Sequence, residues 1–66
     1  MKQTKFTDSK IAAARIEKGF TQQQLADAIG VSQTQIANWE SGFRKPKMDA
    51  LMRIGKALGI DWTALT

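Results

Sequence analysis

Gln33, Thr34, Ala37, Asn38 and Ser41 recur at spacings of one, three and four residues, which places side chains on one face of a helix. That face carries amides, hydroxyls and a methyl group, and no charge. Its chemistry is therefore hydrogen bonding without ion pairing. Glutamine and asparagine can bond adenine bidentately in a major groove, and a threonine methyl can pack on a thymine methyl. Asn38 falls one turn below Thr34, so both can reach one groove wall, and Ala37 leaves room for close backbone approach. The plainer alternative is a polar helix surface facing water. Gln35 stands apart, since it follows Ser32 by three residues and suits a capping box better than a base contact.

Cations lie on either side of this neutral stretch. Residues 1–18 hold Lys2, Lys5, Lys10, Arg15 and Lys18 against Asp8 and Glu17, a net +3. Residues 44–66 hold Arg44, Lys45, Lys47, Arg53 and Lys56 against Asp49 and Asp61, again +3. Residues 19–43 have only Asp27 and Glu40, a net −2, within a chain total of +4. Such a division suits a polyanion: cations grip phosphates while amides and hydroxyls address base edges. Ordinary solubilising charge is the competing explanation. Arg44 and Lys45 lie in the loop Gly42–Lys47, where they would emerge beside a phosphate backbone, or for Arg44 a narrow minor groove; a solvated loop is the alternative. Lys2 and Lys5 form a short basic arm or a solvated end.

The elements that must position these groups are legible from caps and apolar spacing. Thr21 caps a helix over about Gln22–Ile29, with Gln24 completing a capping box. Ser32 caps the next, over about Gln33–Ser41, with Gln35 in the same relation. Phe20 with Leu25 and Val31 with Ile36 have the spacing of hydrophobic staples. Gly30 sits where the earlier helix must stop, and Ala26 is small enough for two helices to cross closely. Two helix starts this close form a helix-turn-helix. Ahead of it, a helix is expected from Asp8 to about Lys18, capped by Thr7, stapled from Phe6 to Ile11 and ended by Gly19, with Ile11, Ala12 or Ala14, Arg15 and Ile16 facing the core. Behind it, Lys47–Leu58 should present Met48, Leu51, Met52, Ile54 and Leu58 inward, with Asp49 at its start and Gly59 at its end. Asp61 caps a last short helix, stapled from Ile60 to Leu65. Phe43 either covers the core or contacts another subunit. Trp62 either completes the core or joins Phe43 at an interface, and the interface is preferred.

Composition bounds the rest. At 66 residues the chain is one domain, 1–66, burying only about 60% of its unfolded surface. No disulfide or ordinary zinc site is available without cysteine or histidine. No apolar run approaches the roughly 18 residues of a membrane span, and Met1–Ser9 lacks a signal-peptide core, so a cytoplasmic protein is expected. An enzyme is poorly supported: there is no His, Cys or Tyr, no phosphate-binding glycine loop, and the carboxylates are scattered. No cofactor is expected.

The stretch Phe20–Pro46, FTQQQLADAIGVSQTQIANWESGFRKP, followed by MDALMRIGKALGI, resembles the lambda-repressor-like DNA-binding domains of phage Cro and repressor proteins and the wider Xre-type regulators. The ordered set Gln22, Ala26, Gly30, Ile36, Trp39-Glu40, Gly42 and Pro46 carries the resemblance, which covers nearly the whole chain. It implies an all-α fold of five helices and a homodimer repressing from a palindromic double-stranded operator. It also implies a phosphate clamp at Gln22, base-reading positions at Gln33, Thr34 and Asn38, and a backbone-contacting loop over Ser41–Lys45. The expected contact set is Gln22, Ser32, Gln33, Thr34, Asn38, Ser41, Arg44 and Lys45, with weak pairing of copies through Phe43 and Trp62. Because the sequence stops at Thr66, a Cro-like regulator is favoured over a two-domain repressor. The resemblance further implies that Arg15 pairs with Glu40, either shielded or exposed. The rival is an antitoxin-type interaction module that also binds DNA; tight, salt-insensitive binding to one protein would favour it, and loss of affinity with rising salt would favour DNA.

Overall fold

The computed structural model describes residues 9–66. Four α-helices follow one another: α1 (Lys10–Glu17), α2 (Gln22–Ile29), α3 (Gln33–Ser41) and α4 (Met48–Leu58). A 3-10 turn over Trp62–Leu65 stands where a fifth helix was expected. No strand occurs among the described residues. None of these helices is long and apolar enough to cross a membrane.

Caps define the starts. Thr21 Oγ1 accepts from the Gln24 N–H at 3.0 Å, and Gln24 Oε1 accepts from the Thr21 N–H at 2.9 Å, so the capping box of α2 is complete. Ser32 Oγ accepts from the Gln35 N–H at 3.1 Å, but no reciprocal bond from the Ser32 N–H to the Gln35 side chain forms among the described residues, so that box is half-made. The first helix begins two residues later than Asp8, because Ser9 is extended and its Oγ accepts from the Ala12 N–H. Thr7, Phe6 and Asp8, to which that helix start was assigned, lie outside the described residues, as do Lys2 and Lys5. Lys47 precedes α4 without a side-chain cap.

Between α2 and α3 the chain turns at Gly30, whose φ of 78° is a left-handed conformation that a side chain would strain. The Gly30 and Val31 N–H groups both donate to the Ala26 carbonyl, closing the helix end. Ala26 is fully buried, as the close crossing requires.

Leu25, Ile36 and Ile54, one each from α2, α3 and α4, are the largest fully buried side chains. Ile11, Ile29, Trp39, Leu51, Leu58 and Leu65 surround them, and Phe20, Val31, Ile60 and Trp62 pack against the outside. Three inward assignments are corrected. Ile16 is 62% exposed, Met48 58% and Met52 50%. The buried stripe of α4 runs through Leu51, Ile54, Gly55 and Leu58; Met52 falls beside it, and Met48 is the first residue of the helix, ahead of that stripe. Phe43 is exposed and does not cover the core. Trp62 is half-buried and packs against the core, with part of its surface left exposed. Buried Gly55 makes that seat possible: a Cβ there would lie 2.9 Å from Trp62 Cβ and 3.0 Å from the Ile60 carbonyl.

Candidate nucleic-acid interface

The expected pair is present and shielded. Arg15 Nε donates to Glu40 Oε2 at 2.6 Å and Arg15 Nη2 to Glu40 Oε1 at 3.2 Å, with the side chains 13% and 6% exposed. Arg15 Nη1 also donates to the Phe20 carbonyl at 2.7 Å. One guanidinium therefore joins α1, the loop before α2 and the end of α3, with a fork that matches a carboxylate bidentately.

A link not foreseen from sequence extends this pair. Gln22 Nε2 donates to Glu40 Oε1 at 3.0 Å, and Gln33 Nε2 donates to Gln22 Oε1 at 3.3 Å. Gln22 and Gln33 are each the first residue of their helix, directly after a capping hydroxyl. That shared position, on helices crossing at a tight turn, is the signal that could have paired them. Gln22 thus retains one N–H for another partner.

On α3, Gln33 and Thr34 are exposed and Asn38 is half-buried, while Ile36, Trp39 and Glu40 are buried. The uncharged face lies outward, as the spacing predicts. Ser32 is exposed, with its hydroxyl engaged as the N-cap. Ser41 fastens the loop: its hydroxyl donates to the Asn38 carbonyl and accepts from the Phe43 N–H. The Arg44 N–H donates to the same Asn38 carbonyl at 3.2 Å. The loop cations are therefore tied by backbone to the end of α3.

Arg44 and Lys45 are exposed, and with Lys47 and Arg53 they line a cleft of about 570 Å³ beside Gln35 and Asn38. Asp49 is the one carboxylate lining it. Lys47 and Arg53 were not foreseen here; the basic count of residues 44–66 hinted at them without showing that α4 turns them toward α3. The Arg44 guanidinium carbon stands 5.8 Å from the centre of the exposed Phe43 ring, within cation–π range.

The geometry is an exposed amide face on the second helix of a helix-turn-helix, flanked by a cation-lined cleft. A family profile described as "Helix-turn-helix" matches residues 11–65, and the chain belongs to this family. The chain is 43% identical over 49 residues to YqaF, an uncharacterized helix-turn-helix-type transcriptional regulator of Bacillus subtilis, a match covering 74% of this chain and 64% of that protein. It is 40% identical over 53 residues to the transcriptional activator BcrR of Enterococcus faecalis, covering 80% and 26%. A third relative is the cryptic phage CTXphi transcriptional repressor RstR of Vibrio cholerae, 31% identical over 52 residues, covering 79% and 47%. The chain therefore spans less than two thirds of each of these relatives.

Proposed function

We propose that the chain is a sequence-specific regulator of transcription that binds double-stranded DNA with α3 in the major groove. The observation that carries this reading is the uncharged, outward face of Gln33, Thr34 and Asn38 beside the cleft lined by Arg44, Lys45, Lys47 and Arg53. In this reading the cations and the free N–H of Gln22 hold phosphates and set the register, while Gln33, Thr34 and Asn38 meet base edges. At the start of α3 the exposed Ser32 hydroxyl accepts from Gln35 and keeps its own O–H to donate to a phosphate, whereas Ser41, whose O–H is given to the Asn38 carbonyl, would serve by holding the loop cations in place.

Two copies would dock in successive major grooves roughly 34–36 Å apart on a palindromic operator. Exposed Phe43 supports a weak homodimer contact, with the exposed part of Trp62 as its second element. A Cro-like repressing role in the bacterial cytoplasm is favoured by the resemblance to phage regulators and the similarity to a phage repressor. Exposed Ile16, Met48 and Met52 also leave apolar surface for a protein partner, which supports the antitoxin-type alternative. Selecting bound sequences from a pool of random duplexes tests the proposal. Enrichment of a palindrome supports the dimeric regulator, and recovery of an unbiased pool overturns it.

A further inference from the structure

We propose that the cleft between α3, the loop after it and α4 is a binding site for a small organic anion with a flat apolar body, an arylcarboxylate in chemical class, and that its occupation excludes DNA. The exclusion rests on α3 and the loop cations being the DNA-binding surface; the site itself does not. The cleft holds about 570 Å³, within the range of about 300–1,000 Å³ typical of small-molecule sites. Its walls differ in kind. Val31 and Ala50, both half-buried, line it with the buried Ile29 and Trp39. Facing solvent, Arg44, Lys45, Lys47 and Arg53 supply its cations against the single carboxylate of Asp49. Among the described residues the one ion pair is Arg15 with Glu40, so none of these cations is paired, even with Asp49.

A DNA strand would satisfy the cations, yet its phosphates and sugars offer little that is apolar to cover Val31 and Ala50. A small molecule carrying both an anionic group and a ring uses both walls. Each arginine side chain ends in a plane that can fork a carboxylate and can also stack on an aromatic face. Arg44 already stands over one ring, that of Phe43, at 5.8 Å. Gln35 adds a neutral donor. The half-made cap of α3 leaves its side chain without a partner among the described residues, and it lines the same cleft. Asn38 lines the cleft as well, so an occupant covers one base-reading position together with the cations that would hold phosphates. Anion and duplex then compete for the same groups, and a compound of this class acts as a signal that releases DNA.

The probe is cinnamate, with acetate as the charge without a ring and cinnamyl alcohol as the ring without a charge. Amide shifts of the isotope-labelled chain locate each compound with no DNA present. Cinnamate should move the amides around Val31, Asn38, Arg44 and Arg53 and bind at least about tenfold tighter than either control, the gain expected from covering a ring beside a paired charge. Ala50→Leu, which fills the cleft and removes no charge, should weaken that binding by about tenfold while leaving duplex affinity unchanged. Arg53→Gln, read in the same DNA-free titration, should weaken it severalfold and serves if Ala50→Leu unfolds. At constant ionic strength the apparent Kd for the selected duplex should rise in proportion to cinnamate with no plateau, as mutual exclusion requires. Equal binding of acetate or cinnamyl alcohol, shifts away from the cleft, or undiminished binding in both variants would overturn the site. A plateau, or no displacement at all, would overturn the exclusion. Cinnamate held in the cleft of a chain that shows no base preference would keep the site and overturn the DNA reading beneath the exclusion.

Discussion

Glu40 accepts two bonds from Arg15 and one from Gln22 while almost wholly shielded from solvent. A buried carboxylate left without its cation is expensive, so Arg15→Met should destabilise the fold by about 3–5 kcal/mol. Replacing both residues with apolar side chains should cost far less. Urea denaturation of the single and double variants checks this; equal losses would mean the pair is not the reason for the cost. On DNA, Gln33→Ala should lose about 1–3 kcal/mol of discrimination at one base position. Lys45→Ala should instead weaken binding to all sequences alike and shallow the salt slope by about one unit. Titrating selected and random duplexes separates the two effects. The outward face of Gln33, Thr34 and Asn38 was legible from residue type and spacing, whereas the pairing of Arg15 with Glu40 came only from the resemblance to lambda-repressor-like domains. The bond between Gln22 and Gln33 was legible from neither, because it depends on how closely two helix starts approach across the turn. For the same reason Gln35 misled: its cap needs its side chain to fold back, and only the Ser32 half of that exchange formed.

At the scale of elements, α4 and the turn over Trp62–Leu65 meet at Gly55. Gly55→Ala would put a methyl against the Trp62 Cβ and two backbone atoms that cannot rotate away. It should cost about 1–3 kcal/mol, the range of overpacking a filled site, despite alanine's better helix propensity. A variant at least as stable as the parent on thermal melting would contradict this packing. The same turn carries a pH-sensitive cap. The Thr63 backbone N–H, and after it the Thr63 side chain, hold the Asp61 carboxyl below its ordinary value. A carboxyl depressed by folding stabilises at pH above its unfolded value and loses that contribution as pH falls through the folded one. The Thr63 amide should therefore lose hydrogen-exchange protection on acidification below about pH 4, the ordinary aspartate range. In Asp61→Asn, which caps without titrating, that change should vanish. Both central helices matched their expected bounds because hydroxyl caps and a glycine stop bracket them. The first helix start did not, since Thr7 and Ser9 both have cap chemistry and local sequence does not rank them. Met48, Met52 and Ile16 were placed inward by apolar spacing; which side of a helix is covered depends on neighbours that periodicity does not name.

Across the whole molecule, basic residues flank a segment of net −2 in a chain of net +4, and folding gathers Arg44, Lys45, Lys47 and Arg53 around one cleft at the end of α3. Charge supplies attraction to any duplex, and the neutral face would supply the choice among duplexes. The two contributions respond differently to salt. The most direct measurement is therefore equilibrium binding of the purified chain to a selected duplex and to its scrambled counterpart over a range of salt concentrations. Affinity for both should fall with a log–log slope of several units, while the preference for the selected duplex persists throughout. Identical affinities at every salt concentration would contradict the account, because the chain would then hold DNA without reading it.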